Sequence, residues 1–260
     1  MTEAIPKLAW KGVTKRFEGH TVLDGLDLSV APGKSLVIIG GSGQGKSVTI
    51  KTALGLMRPE AGKIELDGNN VVGLWEGARR NLFSRIGVLF QGAALFDSLT
   101  VWENVAFRLI NADRVPRKEA KERAIEALEL VRLAPAVADR FPSELSGGMQ
   151  KRAGLARAVV AQPEILFFDE PTTGLDPITA AAINELISDL VRRLGSTAVS
   201  ITHDLASAQT IGDEIAMLHE GRVRWRGSAQ DLGKADDPGV RRFVDAARLC
   251  PVDLHAREIV

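Results

Sequence analysis

The chain has 260 residues, of which 45% are hydrophobic and 25% charged, as in ordinary globular proteins. Its 33 Lys and Arg residues balance 33 Asp and Glu residues, so no broad basic field for nucleic acid is indicated and no nucleic-acid partner is expected. One cysteine, Cys250, excludes an intrachain disulfide, and no apolar run approaches the ~20 residues that span a bilayer, so any work at a membrane is expected to need a separate membrane subunit.

The first third of the chain predicts short strands. Residues 8–33 alternate between apolar and polar residues and end at a Pro-Gly turn, and residues 62–68 form another short strand between turn residues. Together these segments predict a small antiparallel sheet.

Between them lies a run that matches the phosphate-binding pattern G-x-x-x-x-G-K-[ST]. The apolar, β-branched run 35–39 before it predicts a buried strand, and residues 48–56 after it predict a helix. In this context glycines let successive backbone N–H groups converge on phosphate, Lys46 supplies a positive charge, and Ser47 supplies a hydroxyl ligand for Mg²⁺. The residues assigned to nucleotide binding here are Gly40, Gly41, Ser42, Gly43, Gln44, Gly45, Lys46, Ser47 and Val48.

The rest of the chain alternates strands and helices. Residues 34–56, 85–91 and 164–220 predict a parallel α/β core, and residues 97–161 between them are mostly helical. Within the helical part, residues 118–131 place apolar residues on one face and charges on the other. Glu119 and Arg123 are spaced as an i,i+4 ion pair.

Leu145-Ser146-Gly147-Gly148-Met149 precedes a helix predicted over about 149–161. Ser146 is a good N-cap residue, and the two glycines leave the first N–H groups of the helix exposed to an anion. Alone, this motif is usually only a helix cap.

The apolar run 165–168 ends in Asp169 and Glu170. Ligands bind at the carboxyl ends of parallel strands, so Asp169 is placed to hold Mg²⁺ and Glu170 to polarise an attacking water. Solvated surface acids would not explain why they end such an apolar strand.

The order and spacing of these motifs resemble the ATP-binding-cassette (ABC) family over residues 10–227. The resemblance implies a P-loop α/β fold with a parallel-sheet core, an antiparallel β subdomain and an α-helical subdomain at about 97–161, within an ATPase domain at 8–227. It also implies ATP and Mg²⁺ as ligands, and a homodimer in which Ser146, Gly147 and Gly148 of one subunit close over ATP held by the other. Further residues take their roles from the family: Phe17 stacks on adenine, Gln91 contacts Mg²⁺, Asp176 lies in the loop that crosses the dimer interface, and His203 touches the γ-phosphate. On this reading the catalytic residues are Lys46, Glu170 and His203, and the metal ligands are Ser47, Gln91 and Asp169.

Three positions depart from the usual family pattern. Phe17 stands where Tyr is common. Val48 stands where many family members carry a second hydroxyl residue after the lysine and serine, and Met149 stands where Gln is common. None of these changes removes a catalytic group.

Residues 89–105, 143–149 and 169–179 resemble the ATPase subunits of Mla-type phospholipid transporters, which work with MCE-domain lipid carriers. This resemblance implies a membrane permease, a periplasmic MCE-domain protein and often a STAS-domain protein, with the ATPase at the cytoplasmic face of a bacterial inner membrane. It also suggests that a helical tail at 228–260 contacts the neighbouring ATPase; a frayed terminus is the equal alternative.

Two other functions stay open. A permease for a small polar solute would need a similar ATPase, and an ABC ATPase of iron–sulfur assembly needs no permease. The segment 92–104 favours a permease because it follows Gln91, where the family docks a permease helix. Its apolar members Leu95, Phe96, Leu99 and Trp102 are spaced three or four apart, and we expect some of them to line a groove rather than face the core.

Overall fold

The computed structural model describes residues 5–248, and its strands in that range form two sheets. The strands are β1 (Leu8–Phe17), β2 (His20–Val30), β3 (Ser35–Ile39), β4 (Ala61–Leu66), β5 (Asn69–Asn70), β6 (Ile86–Leu89), β7 (Ile165–Asp169), β8 (Thr197–Ile201), β9 (Glu214–His219) and β10 (Arg222–Ser228). One sheet has the order β2-β1-β4-β5 with antiparallel neighbours. The other has the order β10-β9-β3-β8-β7-β6 and is parallel except at β9–β10. The predicted fold class is confirmed.

Helices pack on the parallel sheet, and three of them lie between β6 and β7 in the sequence. They are α1 (Lys46–Ala53), α2 (Glu76–Ser84), α3 (Val101–Asn111), α4 (Arg117–Leu130), α5 (Gly147–Val159), α6 (Pro177–Leu194), α7 (Leu205–Ile211) and α8 (Pro238–Arg248). Helices α1 and α5 each begin two residues before the predicted start, because their glycine-containing loops lead directly into the first turn. Helix α2 was not predicted.

The parallel sheet is buried on both faces, and this explains the nearly continuous apolar runs. Alternate residues of one strand belong to different hydrophobic clusters: Val37 of β3 lies in the first cluster and Ile38 in the second. The same alternation separates Phe168 from Phe167 in β7. The two clusters hold the strands rigidly, so the loops at their carboxyl ends are fixed in position.

Helices α3, α4 and α5 pack together beside the parallel sheet. The predicted amphipathic pattern of α4 is confirmed, since Ala124 and Leu128 are fully buried. The predicted ion pair is also present, with Arg123 Nη2 2.7 Å from Glu119 Oε1. Such an exposed pair contributes about 0.3–0.5 kcal/mol, so burial stabilises this helix more than charge does.

The chain after β10 packs on the same core as the helices. Leu232, Ala235, Val240 and Val244 are buried in the first hydrophobic cluster. The rest of the predicted 228–260 tail, with Cys250, lies outside the described residues. No helix within residues 5–248 is both long enough and apolar enough to cross a bilayer.

Candidate functional site

The glycine loop, Asp169 and His203 lie at one edge of the parallel sheet. Strand β3 leads into the loop at Gly40, β7 ends at Asp169, and β8 is followed closely by His203. Ile201 of β8 is in register with both Ile38 of β3 and Asp169 of β7, so the loops after these three strands are neighbours. This edge is where open α/β sheets bind their ligands.

The glycines of the loop are required by conformation and by space. Gly40, Gly43 and Gly45 have φ values of 147°, 75° and 94°, which L side chains rarely adopt. A Cβ at Gly40 would lie 2.6 Å from the carbonyl oxygen of Leu218, and one at Gly45 would lie 2.7 Å from Leu23 Cδ2. The loop can therefore turn its backbone toward an anion in a way that larger residues would prevent.

The other residues of the loop are either exposed or in contact with neighbouring parts of the fold. Gly41 and Ser42 are exposed. The Gln44 side chain accepts a hydrogen bond from the Glu220 N–H at 2.6 Å, which attaches the loop to the β9–β10 turn. Val48 packs its side chain on the second hydrophobic cluster, while its backbone N–H lies in the first turn of α1, where N–H groups have no helical partner.

Lys46 lies across its own loop. Its Nζ donates to the carbonyl oxygens of Gly40 at 2.7 Å and Gly41 at 2.8 Å. Burial lowers the pKa of Lys46, and the negative charges of Glu170 and Asp169 oppose that shift. The ammonium group is thus partly desolvated and near the two acids of the site, where it interacts strongly with charge.

Ser47 and Asp169 form a pair of oxygen ligands. Ser47 Oγ donates to Asp169 Oδ1 at 3.4 Å. Burial raises the pKa of Asp169; the Ser47 hydrogen bond opposes that rise and the charge of Glu170 adds to it. Among residues 5–248 no group of three or more His, Cys, Asp or Glu side chains could hold a metal. A hydroxyl and one carboxylate fit Mg²⁺, which keeps several waters and takes further ligands from phosphates. Gln91 follows β6 at the same sheet edge and is exposed.

Glu170 and His203 are joined directly. His203 Nδ1 lies 2.8 Å from Glu170 Oε2, and Thr173 Oγ1 donates to the same oxygen at 3.0 Å. Glu170 has a φ of 50°, uncommon for a residue with a side chain, and its N–H donates to the Ile201 carbonyl at 3.0 Å. Left-handed backbone of this kind is often found at functional sites. The carboxylate is fixed, and the imidazole, with 64% of its side chain exposed, faces solvent.

The Ser-Gly-Gly segment lies at the start of α5, as predicted. Ser146 is the N-cap and accepts a hydrogen bond from the Met149 N–H at 3.4 Å. Ser146 and Gly147 are exposed, and a Cβ at Gly148 would lie 2.7 Å from Thr179 Cγ2 at the start of α6. In residues 5–248 this segment makes no hydrogen bond to the glycine loop of its own chain.

Two further predicted residues lie at the periphery. Phe17 ends β1 with 40% of its surface exposed, and Lys15 Nζ lies 5.1 Å from its ring centroid. Asp176 caps α6, accepting hydrogen bonds from the N–H groups of Ile178 at 3.1 Å and Thr179 at 3.0 Å. The structure therefore gives Asp176 a local capping role in addition to its predicted place in an intersubunit loop.

The sequence pattern missed two cations of α5 beside the site. Lys151 Nζ donates to the carbonyl of Gln91, and Arg157 donates to the carbonyls of Ala93 at 2.5 Å and Ala94 at 2.6 Å. Ala93 and Ala94 both have positive φ, of 58° and 47°. The detectable signal was Lys151 itself, a charged residue on the buried face of a helix where apolar periodicity predicts an apolar one.

A groove lies outside the sheet edge, between α2 and the end of α3. Its volume is about 650 Å³, and its lining includes Arg79, Phe83 and Arg108. Phe107 directly precedes the lining residue Arg108 and is 38% exposed; its ring centroid lies 4.7 Å from that of Phe96, which is 46% exposed. Exposed apolar patches next to grooves are typical of protein-binding surfaces.

Residues 23–173 match the family model described as ABC transporter. The chain is 37% identical over 244 residues to a probable ribonucleotide transport ATP-binding protein of Mycobacterium leprae, covering 94% of this chain and 70% of that protein. It is 41% identical over 244 residues to a methionine import ATP-binding protein of Caulobacter vibrioides, covering 92% and 73%. A solved dimeric ATP-binding cassette in a post-hydrolysis state, bound to ADP and Pi, is 32% identical with a TM-score of 0.78, covering 85% of this chain and 98% of that one.

Proposed function

The chain belongs to the ABC transporter family, and we propose that it is the ATP-hydrolysing subunit of an Mla-type transporter, which moves phospholipid between the inner and outer membranes of a bacterium. Membership makes it an ATP-binding subunit that hydrolyses ATP with Mg²⁺. The finer proposal concerns which residues do this, which partners bind, and what is carried.

In this proposal the loop 40–48 holds the phosphates of ATP. Lys46 exchanges its bonds to loop carbonyls for phosphate oxygens and neutralises their charge, and the first N–H groups of α1, including that of Val48, donate to the phosphates. Ser47, Asp169 and Gln91 hold Mg²⁺, which when bound neutralises charge on the phosphates. The 3.4 Å contact between Ser47 and Asp169 supports this pairing because it places two ligand oxygens together.

Glu170 acts on the attacking water, and His203 contacts the γ-phosphate. The bonds of Glu170 Oε2 to His203 and Thr173 support these roles, since they fix the carboxylate and orient the imidazole. A fixed carboxylate can orient a water and accept its proton as the water oxygen attacks the γ-phosphorus, while the bond from that phosphorus to the bridging oxygen breaks and ADP leaves. The negative charge on the transferred phosphoryl group is stabilised by groups already in place.

Two chains are needed for two complete sites. The exposed Ser146 and Gly147 make no bond to the loop of their own chain, which supports a role toward ATP held by a second copy. The dimeric state of the similar cassette favours the same arrangement. Phe17 stacks on adenine, and the loop capped by Asp176 crosses the interface.

The groove beside α2 receives a cytoplasmic helix of the permease. Its arginines and the adjacent rings of Phe96 and Phe107 suit a helix with both apolar and acidic residues. Arg157 holds the segment 93–94 that connects Gln91 to Phe96, so the docking surface is joined to the active-site edge by a short, ordered stretch of chain.

Phospholipid as cargo is supported by the residue patterns at 89–105, 143–149 and 169–179, which resemble the Mla type. This assignment includes a periplasmic MCE-domain partner, a possible STAS-domain partner, and a peripheral location on the cytoplasmic face of the inner membrane. A contact of the 228–260 tail with the neighbouring ATPase also belongs to it. An importer of a small polar solute is the second candidate, favoured by the 41% identity to a methionine import protein. Iron–sulfur assembly is disfavoured, because the relatives above bear names of transport proteins.

Replacing Phe96 by Asp tests the docking surface. We expect the permease to disappear from pull-downs in detergent, identified by mass spectrometry, while basal ATP hydrolysis by the purified chain stays unchanged. Leu130→Asp is the matched control, because Leu130 is similarly exposed, at 43%, at the end of α4. Retention of the permease by Phe96→Asp would contradict the docking proposal.

Deleting the gene tests the cargo. A host without it should become sensitive to detergents and bile salts, because lipid asymmetry of the outer membrane is disturbed. A deletion strain with a normal outer membrane that loses uptake of a small solute would refute the lipid assignment and leave the ATPase assignment intact.

A further inference from the structure

Behind the Glu170–His203 pair lies a set of polar side chains that we call the α6–α7 polar cluster: Thr172, Asn184, Asp204 and Ser207. Asn184 of α6 donates from Nδ2 to Ser207 Oγ of α7 at 2.7 Å. Ser207 Oγ lies 2.5 Å from Asp204 Oδ2 and 3.3 Å from Thr172 Oγ1. Asn184 and Ser207 are 4% and 0% exposed, so water cannot replace these bonds at little cost.

The directions of these hydrogen bonds follow from the acceptors. An ionised carboxylate only accepts, so Ser207 commits its one hydrogen to Asp204. Ser207 Oγ must then accept from both Asn184 and Thr172. Asn184 and Thr172 therefore donate to Ser207, and Ser207 donates to the Asp204 carboxylate. This carboxylate also accepts from the N–H groups of Ala206 and Ser207 at 3.2 and 2.9 Å, so it caps α7.

The cluster joins the two segments that carry the candidate catalytic pair. Thr172 follows Glu170 by two residues, and Asp204 directly follows His203. The ring of His203 is mostly exposed, and in residues 5–248 its one hydrogen bond is to Glu170. Its position therefore depends on how firmly the start of α7 is held against the turn after β7.

Stability alone does not explain an asparagine at position 184. Asn184 Oδ1 is buried and has no hydrogen-bond partner among the described residues, which disfavours the folded state. A leucine, which has the same branched shape, would remove that buried acceptor. Asn184 also lines a cavity of about 450 Å³ together with Gly174, His203 and Asp204, so it lies close to the loops that would surround the γ-phosphate.

We propose that Asn184 and Ser207 are positioning residues for ATP hydrolysis: through Asp204 and Thr172 they hold His203 in place relative to Glu170. The inference rests on the proposed roles of Glu170 and His203. Among the described residues no hydrogen bond joins the cluster to the 40–48 loop, so we expect it to affect the rate of hydrolysis and to leave the affinity for ATP unchanged.

The test compares Asn184→Leu, Ser207→Ala and the double variant in the purified full-length chain. Asn184→Leu should lower kcat about fivefold to fiftyfold, because small misplacements of catalytic groups are costly, while KM for ATP stays within about twofold. Its Tm should be equal to or above that of the wild type. Ser207→Ala should lower both kcat and Tm, since it leaves Asn184 Nδ2 unpaired. The double variant should recover Tm without recovering kcat.

Ser188→Ala is the matched control. Ser188 also joins α6 to α7, by a 2.8 Å bond to the Thr210 carbonyl, but farther along both helices from His203. It should leave kcat unchanged. An equal loss of kcat in Ser188→Ala, or a normal kcat in Asn184→Leu, would overturn the inference.

Glu170→Gln, measured in the same assay, distinguishes a failure of the cluster inference from a failure of the proposed catalytic pair. If Glu170→Gln is inactive and Asn184→Leu is normal, the cluster inference alone fails. If Glu170→Gln hydrolyses ATP normally, the proposed catalytic pair fails and the cluster inference fails with it.

Discussion

Glu170→Gln keeps the shape of the site and removes one negative charge. Glu170 Oε2 bonds Thr173 Oγ1 at 3.0 Å and His203 Nδ1 at 2.8 Å. The amide oxygen of Gln can still accept from both of them, so the change replaces charge-assisted bonds with neutral ones. Hydrogen bonds to charged groups contribute about 1.5–3 kcal/mol and neutral ones about 0.5–1.5, a difference of about 1–1.5 per bond. Because the His203 side chain is 64% exposed, solvent screens its bond, and the unfolding free energy should fall by about 1–2 kcal/mol in total.

The catalytic effect should be larger than this loss of stability. Removing a general base typically lowers the rate by about 10²–10⁴-fold, or about 2.7–5.4 kcal/mol in the barrier. At about 2–4 °C per kcal/mol, Tm should fall by only about 2–8 °C, so the variant stays folded while hydrolysis stops. ATP binding should persist because Lys46, Ser47 and Asp169 are untouched.

The assay measures phosphate release at saturating Mg-ATP and the molecular mass by light scattering, with and without Mg-ATP. We expect Glu170→Gln to bind ATP and remain a stable dimer without turnover. Glu185→Gln is the matched control, since Glu185 is an exposed acid of α6 that lines the same cavity as His203. Hydrolysis by Glu170→Gln within tenfold of the wild-type rate, or a monomer with ATP bound, would refute the proposed role.

Three other changes have definite expected outcomes. Lys46→Ala should reduce hydrolysis at least about a hundredfold and weaken ATP binding in a nucleotide titration, because phosphate charge loses its neutralising ammonium; hydrolysis within tenfold of wild type would count against the whole site. Ser146→Arg should stop hydrolysis without changing ATP affinity, and mixing it with Lys46→Ala chains should restore one working site per heterodimer; absence of recovery in any mixture would contradict a shared site. Glu164→Gln should lower Tm at neutral pH by about 1–3 °C, corresponding to less than about 1 kcal/mol after discounting for solvent screening. Hydrogen bonds from Arg85 and then Lys7 hold the pKa of Glu164 at about 2, below its usual value of 4.5. Because the folded-state pKa is depressed, the carboxylate stabilises the fold fully above pH 4.5 and loses that effect as pH falls toward 2, so the difference in Tm between the variant and wild type should disappear over that range.

Features encoded in a few consecutive residues were predictable. A glycine such as Gly45, with its positive φ and no room for a Cβ, has a direct signature in the sequence. So do Asp169 at the end of an apolar strand and Ser146 at a helix N-cap. The register of the parallel strands then brings the glycine loop and Asp169 to one edge, and this follows from the topology alone.

Features that depend on distant contacts were not predictable. Ala93 and Ala94 have no preference for left-handed backbone, yet both adopt it, with their carbonyls bonded by Arg157 more than sixty residues later. Helix α2 has nine residues, of which only Ala78, Leu82 and Phe83 are apolar, and it contains Gly77, so its helical state depends on its packing beside β6. Asn184 and Ser207 gave no signal separately, because each looks like an ordinary polar residue on a helix.

The segment 95–102 shows how a correct spacing can mislead when a helix boundary is missed. Leu95, Phe96, Leu99 and Trp102 have helical spacing, but Trp102 is 7% exposed and Phe96 is 46% exposed. Helix α3 begins only at Val101, so three of the four residues precede the helix and its periodicity does not apply to them. The boundary itself is visible in the sequence as a capping box, in which the Thr100 N–H and hydroxyl donate to the Glu103 carboxylate at 3.0 and 2.9 Å. Helical spacing applies only after the N-cap, so Trp102, inside α3, belongs to the core, while Phe96, before the helix, is exposed.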